Sequence, residues 1–149
     1  LLDSSRIQMI SQKYMWRESI RLTGKCLVEY GSIEQTYLEK IISQLQYYGP
    51  YMFLTENVIL AHAKPEDGVN SLDIALSVFK KPVVFSEHRK ANLVIVLAAE
   101  DQEKHLKILQ DILQIISDGE TVNKLIQSSS SERVLSIIRE KLNDNDSGE

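Results

Sequence analysis

An uninterrupted apolar run, Leu-Val-Ile-Val-Leu-Ala-Ala at residues 93–99, constrains the fold of this chain more than any other feature. A strand with one wet face alternates between apolar and polar residues, whereas a strand covered on both faces is apolar throughout. Each such side chain, when fully buried, contributes roughly 1.5–3 kcal/mol to stability. The run therefore predicts a central strand whose sheet is covered by helices on both faces.

Two helices are predicted before the first strands, after a mixed segment of residues 1–14 that suits either a helix or a strand. Apolar side chains recur at helical spacing from Trp16 to Val28, and a second stripe runs from Tyr37 to Tyr48. Residues 32–35, Ser-Ile-Glu-Gln, have the spacing of a capping box at the start of the second helix. Gly-Pro at 49–50 is expected to end that helix.

The middle of the chain has the pattern of β-structure. Short apolar runs at 51–54 and 58–61 are followed by strict alternation over residues 72–79. Lys-Lys-Pro at 80–82 predicts a turn, with a short strand at 83–85 beyond it. Together with the run at 93–99, this predicts about five strands.

Three helical segments are predicted to close the chain. Asp101 is placed to cap the first, whose apolar stripe runs from Leu106 to Ile116. A short helix around Val122 and a serine-rich linker at 128–131 precede the last helix. The order of elements predicts an α/β fold, a mixed sheet of about five strands sandwiched between helices. One domain is expected over residues 1–142, with a disordered acidic tail at 143–149.

Charge and composition exclude several classes of function. The net charge of −4 gives no basic surface for direct binding of nucleic acid. No apolar stretch approaches the roughly 20 residues of a membrane helix. The single cysteine, Cys26, excludes an internal disulfide, is expected to pack inside the first helix, and fits a reducing compartment. The glycine-rich motifs of nucleotide enzymes, the nucleophile elbow of α/β-hydrolases and the zincin motif are also absent.

Two of the three histidines are candidates for a reactive site. His62 directly follows the apolar run 58–61 and begins a polar, turn-prone segment, so that a strand would hold it open to solvent. There it is suited to be a general base, a metal ligand or a nucleophile. His105 lies one turn into the helix after the central strand, where open α/β sheets place their sites. His88, in Ser-Glu-His-Arg-Lys, is expected to be an exposed loop residue.

Several stretches together resemble the enzyme IIA domain of the bacterial phosphotransferase system. They are Gly-Pro-Tyr at 49–51, Ala-His-Ala-Lys-Pro-Glu-Asp-Gly-Val at 61–69, and Leu-Ala-Ala at 97–99 with His-Leu at 105–106. The likeness is closest to the ascorbate-type branch of the fructose–mannitol superfamily, which residues 16–21, Trp-Arg-Glu-Ser-Ile-Arg, also resemble. It covers residues 5–142 and implies a type 2 enzyme IIA fold.

This resemblance implies a phosphocarrier that needs neither cofactor nor metal. His62 would accept a phosphoryl group from the phosphocarrier protein HPr and pass it to a cysteine of the cognate enzyme IIB, for uptake of an ascorbate-like carbohydrate through the membrane enzyme IIC. His105 would support the transferred group, and Lys64 would contribute positive charge to it. The resemblance also implies a cytoplasmic phosphotransferase; formation of a homodimer is left open.

The sequence departs from the family pattern on both sides of His62. Ala61 stands where proline is usual, and Lys64 stands where arginine is usual, which keeps the charge but loses the bidentate fork. These departures keep a second hypothesis open, an enzyme IIA-like regulatory domain of a sugar-operon transcription regulator or antiterminator, phosphorylated on His62. A third hypothesis, a metal hydrolase, requires His62, His88 and His105 to converge on one ion.

Overall fold

The structure, a computed structural model, describes residues 2–147 of the chain, with side chains described as far as residue 143. Short 3₁₀ turns occur at Ser4–Arg6 and Pro65–Asp67. No helix within the described residues is long and apolar enough to cross a membrane. The elements in chain order are β1 (Ile7–Ile10), α1 (Trp16–Glu29), α2 (Gln35–Tyr48), β2 (Phe53–Thr55), β3 (Val58–Ala61), β4 (Asp73–Ser86), β5 (Arg89–Ala98), α3 (Gln102–Ile116), α4 (Gly119–Gln127) and α5 (Ser131–Ser147).

The strands form one mixed sheet in the order β1-β4-β5-β3-β2. β5 runs parallel to β3 and antiparallel to β4, while β1 lies parallel to β4. β2 pairs with β3 in the antiparallel sense. Because β3 and β5 are parallel neighbours, the loops after Ala61 and Ala98 leave the sheet at the same edge. This edge is called the carboxyl edge below.

Helices cover both faces of the sheet, which confirms the predicted α/β sandwich. Side chains of β4 alternate as predicted: Ala75 and Phe79 pack with α1 and α2, whereas Ile74, Leu76 and Val78 pack with α3, α4 and α5. In β5, every residue from 93 to 98 is buried. The apolar run is therefore a central strand with two covered faces.

The predicted capping box at residues 32–35 is wrong. Ser32 is buried, and its hydroxyl donates a hydrogen bond of 2.6 Å to Asp73 instead of capping α2. Ile33 forms an isolated bridge with Val69. A hydrogen bond to a buried, charged carboxylate is stronger than one at an exposed helix end. The Ser32 hydroxyl therefore binds Asp73 and does not cap α2.

The predicted turn at residues 80–82 is also wrong, because β4 continues through it to Ser86. β1 pairs with β4 only as far as Phe79, so the next residues lie on a free edge of the sheet. Proline is tolerated on an edge strand, where its missing N–H costs no ladder hydrogen bond. The irregularity appears instead as a register shift between Val78 and Val83 in the pairing with β5.

The apolar stripe of α3 is narrower than the sequence predicts. Leu106 and Leu113 are 57% and 44% exposed, while Ile112, Ile115 and Ile116 face the core. At the other end of the chain, α5 is described as far as Ser147. It therefore passes residue 142, the predicted end of the domain, and continues into the predicted acidic tail. Residues 148 and 149 lie outside the described residues, and the boundary at 142 stays a prediction.

Candidate functional site

His62 stands at the carboxyl edge, on the first residue after β3. All four residues of β3 are buried, which fixes the backbone that holds this half-buried side chain. Its Nδ1 atom lies 2.8 Å from the carbonyl oxygen of Leu60. Because a carbonyl oxygen can only accept, Nδ1 carries the proton, and the lone pair of the neutral ring is on Nε2. The strand end thus sets both the orientation and the tautomer of His62.

His105 reaches the same edge from the first turn of α3. Asp101 begins this helix as predicted, since its carboxylate accepts a 2.8 Å hydrogen bond from the Lys104 N–H. The backbone N–H of His105 donates to the Asp101 carbonyl oxygen at 3.1 Å. The centres of the His62 and His105 rings are 5.4 Å apart, with the rings tilted by 55°. The two imidazoles therefore meet, as the sequence predicts.

The pKa of His105 lies below its ordinary value. Burial is the larger cause, because it disfavours the charged ring, and the charge of the neighbouring His62 is the smaller one. His105 is therefore neutral at neutral pH. A neutral imidazole can still donate one N–H to an anionic group, and it adds no positive charge beside His62.

A pocket of 220 Å³ lies around the two rings, at the amino-terminal end of α3. The first N–H groups of a helix have no hydrogen-bond acceptor inside the helix. They attract anions, and the helix dipole strengthens this attraction. The pocket is large enough to hold a small group such as phosphoryl, and it is open to solvent. The residues that line it are Tyr37, His62, Ala63, Pro65, Leu97, Ala99, Asp101, Gln102 and His105.

Tyr37 is a site residue that the sequence interpretation treated only as part of an apolar stripe. Its hydroxyl donates to the Leu97 carbonyl oxygen at 2.6 Å and accepts from the Ala63 N–H at 3.0 Å. Burial raises its pKa to about 12. Tyr37 thus joins α2, the end of β5 and the segment after His62. A phenol inside an aliphatic stripe was the available signal, because a buried hydroxyl needs a hydrogen-bond partner.

The segment after His62 is also held by backbone contacts with the start of α2. The Glu34 N–H donates to the Gly68 carbonyl oxygen at 2.9 Å, and the Asn70 N–H donates to the Ser32 carbonyl oxygen at 2.8 Å. The Asn70 side chain donates to the Gly31 carbonyl oxygen and to the Glu34 carboxylate. These bonds position the loop independently of its own few apolar contacts.

A partly buried ion pair lies beside this loop, with the Asp73 carboxylate as its buried member. The Arg6 guanidinium binds Asp73 through two hydrogen bonds of 2.6 and 3.1 Å, and Ser32 donates to the same carboxylate. Burial alone would raise the pKa of Asp73, but the hydrogen bonds from Arg6 and Ser32 outweigh it and lower that pKa. The 2% exposed Asp73 is therefore ionised and fixes the start of β4 to the 3₁₀ turn before β1 and to the α1–α2 connection.

Lys64 is less closely placed than the two histidines. It precedes the 3₁₀ turn, is exposed, and does not line the pocket. Its backbone N–H donates to Asp67 at 3.2 Å. Its ammonium group makes no hydrogen bond or ion pair with the described side chains of residues 2–143. The charge is thus unpaired beside the site, and its predicted contact with a phosphoryl group stays a prediction.

The third histidine does not join the other two. His88 is exposed in the turn between β4 and β5, at the opposite end of β5 from the carboxyl edge. Among the described residues, no group of three or more histidine, cysteine, aspartate or glutamate side chains is arranged to hold a metal ion. The three histidines therefore do not converge. The prediction that they would, on which the metal-hydrolase hypothesis depends, is wrong.

A comparison with known protein families identifies the family to which this fold and site belong. Residues 1–141 match the family described as the phosphoenolpyruvate-dependent sugar phosphotransferase system, EIIA 2. The chain belongs to this family. It is a phosphotransferase of the enzyme IIA type, a phosphocarrier component of sugar transport, as the resemblance implies.

Individual relatives agree with the family. The enzyme IIA is 25% identical over 141 residues to the ascorbate-specific PTS system EIIA component of Shigella boydii, covering 93% of this chain and 92% of the relative. The mannitol-specific cryptic phosphotransferase enzyme IIA CmtB of Escherichia coli is 26% identical, with a TM-score of 0.84 and coverage of 93% and 94%. The complex of enzyme IIAMTL and phosphorylated enzyme IIBMTL of Escherichia coli has a TM-score of 0.80 at 24% identity, covering 93% of this chain and 97% of that one.

Proposed function

We propose that His62 is the phosphoacceptor of this enzyme IIA and that its Nε2 atom is the nucleophile. The observation that supports this most is the hydrogen bond from Nδ1 to the Leu60 carbonyl oxygen, which leaves the Nε2 lone pair free. The lone pair attacks the phosphorus of a phosphohistidine on HPr. A new P–N bond forms at Nε2, the P–N bond of the donor breaks, and its electron pair returns to the donor imidazole.

The other residues of the site support the charges of this transfer. The phosphoryl charge is spread over three oxygens, so stabilisation by fixed donors is worth more than any covalent help. Neutral His105 donates an N–H to one oxygen, and Lys64 brings its unpaired ammonium to the group from outside the pocket. The Leu60 carbonyl stabilises the positive charge that develops on the His62 ring, because it accepts the Nδ1 proton in a hydrogen bond.

The acceptor of the phosphoryl group is a cysteine of a cognate enzyme IIB. The enzyme IIA in the Escherichia coli complex is bound to a phosphorylated enzyme IIB, and the small open pocket suits a protein partner that brings its own reactive atom. We place the chain in the cytoplasm, upstream of a membrane enzyme IIC. The carbohydrate is ascorbate-like, since the relatives from Shigella boydii and Escherichia coli that match by sequence over 93% of the chain are named ascorbate-specific. These relatives also favour transport over the regulatory alternative.

The test is phosphorylation by enzyme I, HPr and phosphoenolpyruvate, with the modified peptide mapped by mass spectrometry under alkaline conditions. We expect one phosphoryl group on His62, no labelling of His62→Gln, and normal labelling of His88→Gln, a matched change at an exposed histidine far from the site. Labelling of His62→Gln at the wild-type rate would refute the proposal. Transfer from the labelled protein to purified ascorbate-type and mannitol-type enzyme IIB then tests the partner and the sugar class.

A further inference from the structure

An apolar cavity of 290 Å³ lies between the sheet and helices α3 and α5, in the layer that does not contain Tyr37. Leu76 and Ile95 form its floor on the sheet, and Ile112 of α3 and Leu135 of α5 form part of its roof. Close-packed interiors hold few voids larger than a water molecule. This cavity is about half open to solvent, so it is an apolar pocket at the edge of this core and not a sealed void.

The cavity exists because the two helical layers pack differently on the sheet. Helix α1 lies close against β4 and β5, whereas α3 packs mainly against α4 and α5. The wall is mostly aliphatic, so ordered water would find few hydrogen-bond partners away from the open mouth. A hydrocarbon ligand would instead gain from removing this wall and its own surface from water.

Two charged side chains, Asp111 and Arg139, also line the cavity, and their situations differ. Asp111 has Lys107 at 3.9 Å on the same helix, which offsets its charge. Arg139 is exposed and makes no hydrogen bond or ion pair among the described side chains. The guanidinium group of Arg139 is therefore an unpaired positive charge on the cavity lining.

We infer that this cavity binds a medium-chain aliphatic carboxylic acid, with the hydrocarbon chain inside and the carboxylate on Arg139. A guanidinium group binds carboxylates through paired hydrogen bonds. An apolar cavity of about 150 Å³ holds benzene; this one is 290 Å³, so it accommodates a chain of about ten carbons by the same measure. The site is separate from the pocket at the carboxyl edge, and its occupancy does not depend on the proposed phosphoryl transfer.

The test uses decanoate, with decanol as the ligand that lacks the charge. Calorimetric titration below the micellar concentration, together with methyl NMR spectra, is expected to show one saturable site with shifts at the isoleucine and leucine methyls of the cavity. Arg139→Gln should weaken decanoate about fivefold and leave decanol unchanged, since it removes one charge-assisted contact at an exposed position. Arg133→Gln, on the same helix but outside the cavity, should bind both ligands as the wild type does.

Filling the cavity supplies the second arm. Leu135→Trp places an indole in the space and should abolish binding of both ligands while the circular dichroism spectrum stays native; Ile108→Phe, at another half-buried position of the wall, replaces it if the first variant does not fold. Absence of saturable binding, or undiminished binding by the filled variant, would overturn the inference. Equal decanoate affinity in the wild type and in Arg139→Gln would also overturn it. So would a ligand-free dimer, detected by sedimentation, whose interface covers the cavity.

Discussion

At the residue scale, the chemistry of the site depends on which histidine carries charge. His105 has a lowered pKa, chiefly through burial and secondarily through the charge of His62. Its folded pKa is thus below the unfolded value of about 6.5. The neutral ring contributes stability that is complete above that value and is lost as the pH falls through the folded pKa.

An NMR titration of the ring protons checks this. We expect the His105 signals to titrate below pH ~6.5, and to move part of the way back towards that value in His62→Gln, because only the smaller of the two causes is removed. A His105 midpoint above the ordinary value would show that the ring is charged during transfer. In that case its proposed role as a neutral donor would be wrong.

Tyr37 carries the second prediction at this scale. Tyr37→Phe leaves the Leu97 carbonyl and the Ala63 N–H without their partner, so we expect a loss of about 1–3 kcal/mol in the free energy of unfolding. Amide exchange at Ala63 should become faster. Tyr47→Phe is the matched control, because that side chain is 81% exposed and its change should stay within about 0.5 kcal/mol. Equal losses in the two variants would remove Tyr37 from its positioning role.

At the scale of elements, the segment between His62 and β4 depends on Gly68. This glycine has φ +137°, which side chains rarely adopt, and a Cβ atom there would lie 3.1 Å from the Tyr37 Cβ and 3.3 Å from the Tyr37 nitrogen. The backbone of α2 cannot yield easily. The glycine therefore permits the loop to pack directly on the helix that carries Tyr37.

Gly68→Ala should cost about 1–3 kcal/mol of unfolding free energy, and it should slow phosphorylation of His62 by displacing the loop. Chemical denaturation and the phosphorylation rate measure the two effects. Gly119→Ala is the control: a Cβ there meets nothing within 4 Å, at the first position of α4. It should leave both quantities unchanged or raise stability slightly. A Gly68→Ala protein as stable and active as this control would contradict the assignment.

The sequence pattern predicted correctly those elements whose structure is set by local interactions alone. The apolar runs at β3 and β5, the alternation of β4 and the cap at Asp101 follow from local pattern, and the structure confirms them. The errors arise where a tertiary contact competes with a local one. Ser32 is drawn to Asp73, and β4 continues through Pro82 because its neighbour β1 has already ended. Neither competitor is visible in the local sequence.

The same reasoning explains the candidate site. His62 and His105 could be predicted because each follows a strand, and parallel strands end together. Tyr37 could not be placed, since its partners are 26 and 60 residues away in the chain. The cavity beneath α3 had no local signal either, because it reflects the distance between two layers.

At the scale of the whole molecule, the Arg6–Asp73 pair joins the turn before β1 to β4, and Ser32 links the same carboxylate to the α1–α2 connection. Arg6→Met should lower the free energy of unfolding by about 3–5 kcal/mol at neutral pH, since it leaves a buried carboxylate unpaired. Arg6→Met combined with Asp73→Asn should recover part of this loss.

The pH dependence of this effect has a defined sign. The pKa of Asp73 is lowered in the folded state, so the stability it provides is present above its unfolded pKa and is lost as the pH falls through the folded pKa. The difference between wild type and Arg6→Met should therefore shrink in acid. Urea denaturation at neutral and acidic pH measures it; a difference that grows in acid would contradict the assignment of an ionised Asp73.

The central claim, phosphorylation of His62 on Nε2, is tested most directly by ¹⁵N and ³¹P NMR of the phosphorylated, ¹⁵N-labelled protein. The structure predicts that phosphorus couples to Nε2 of His62, while Nδ1 keeps its hydrogen bond to the Leu60 carbonyl. Coupling to Nδ1 of His62, or to a ring nitrogen of His105, would contradict it.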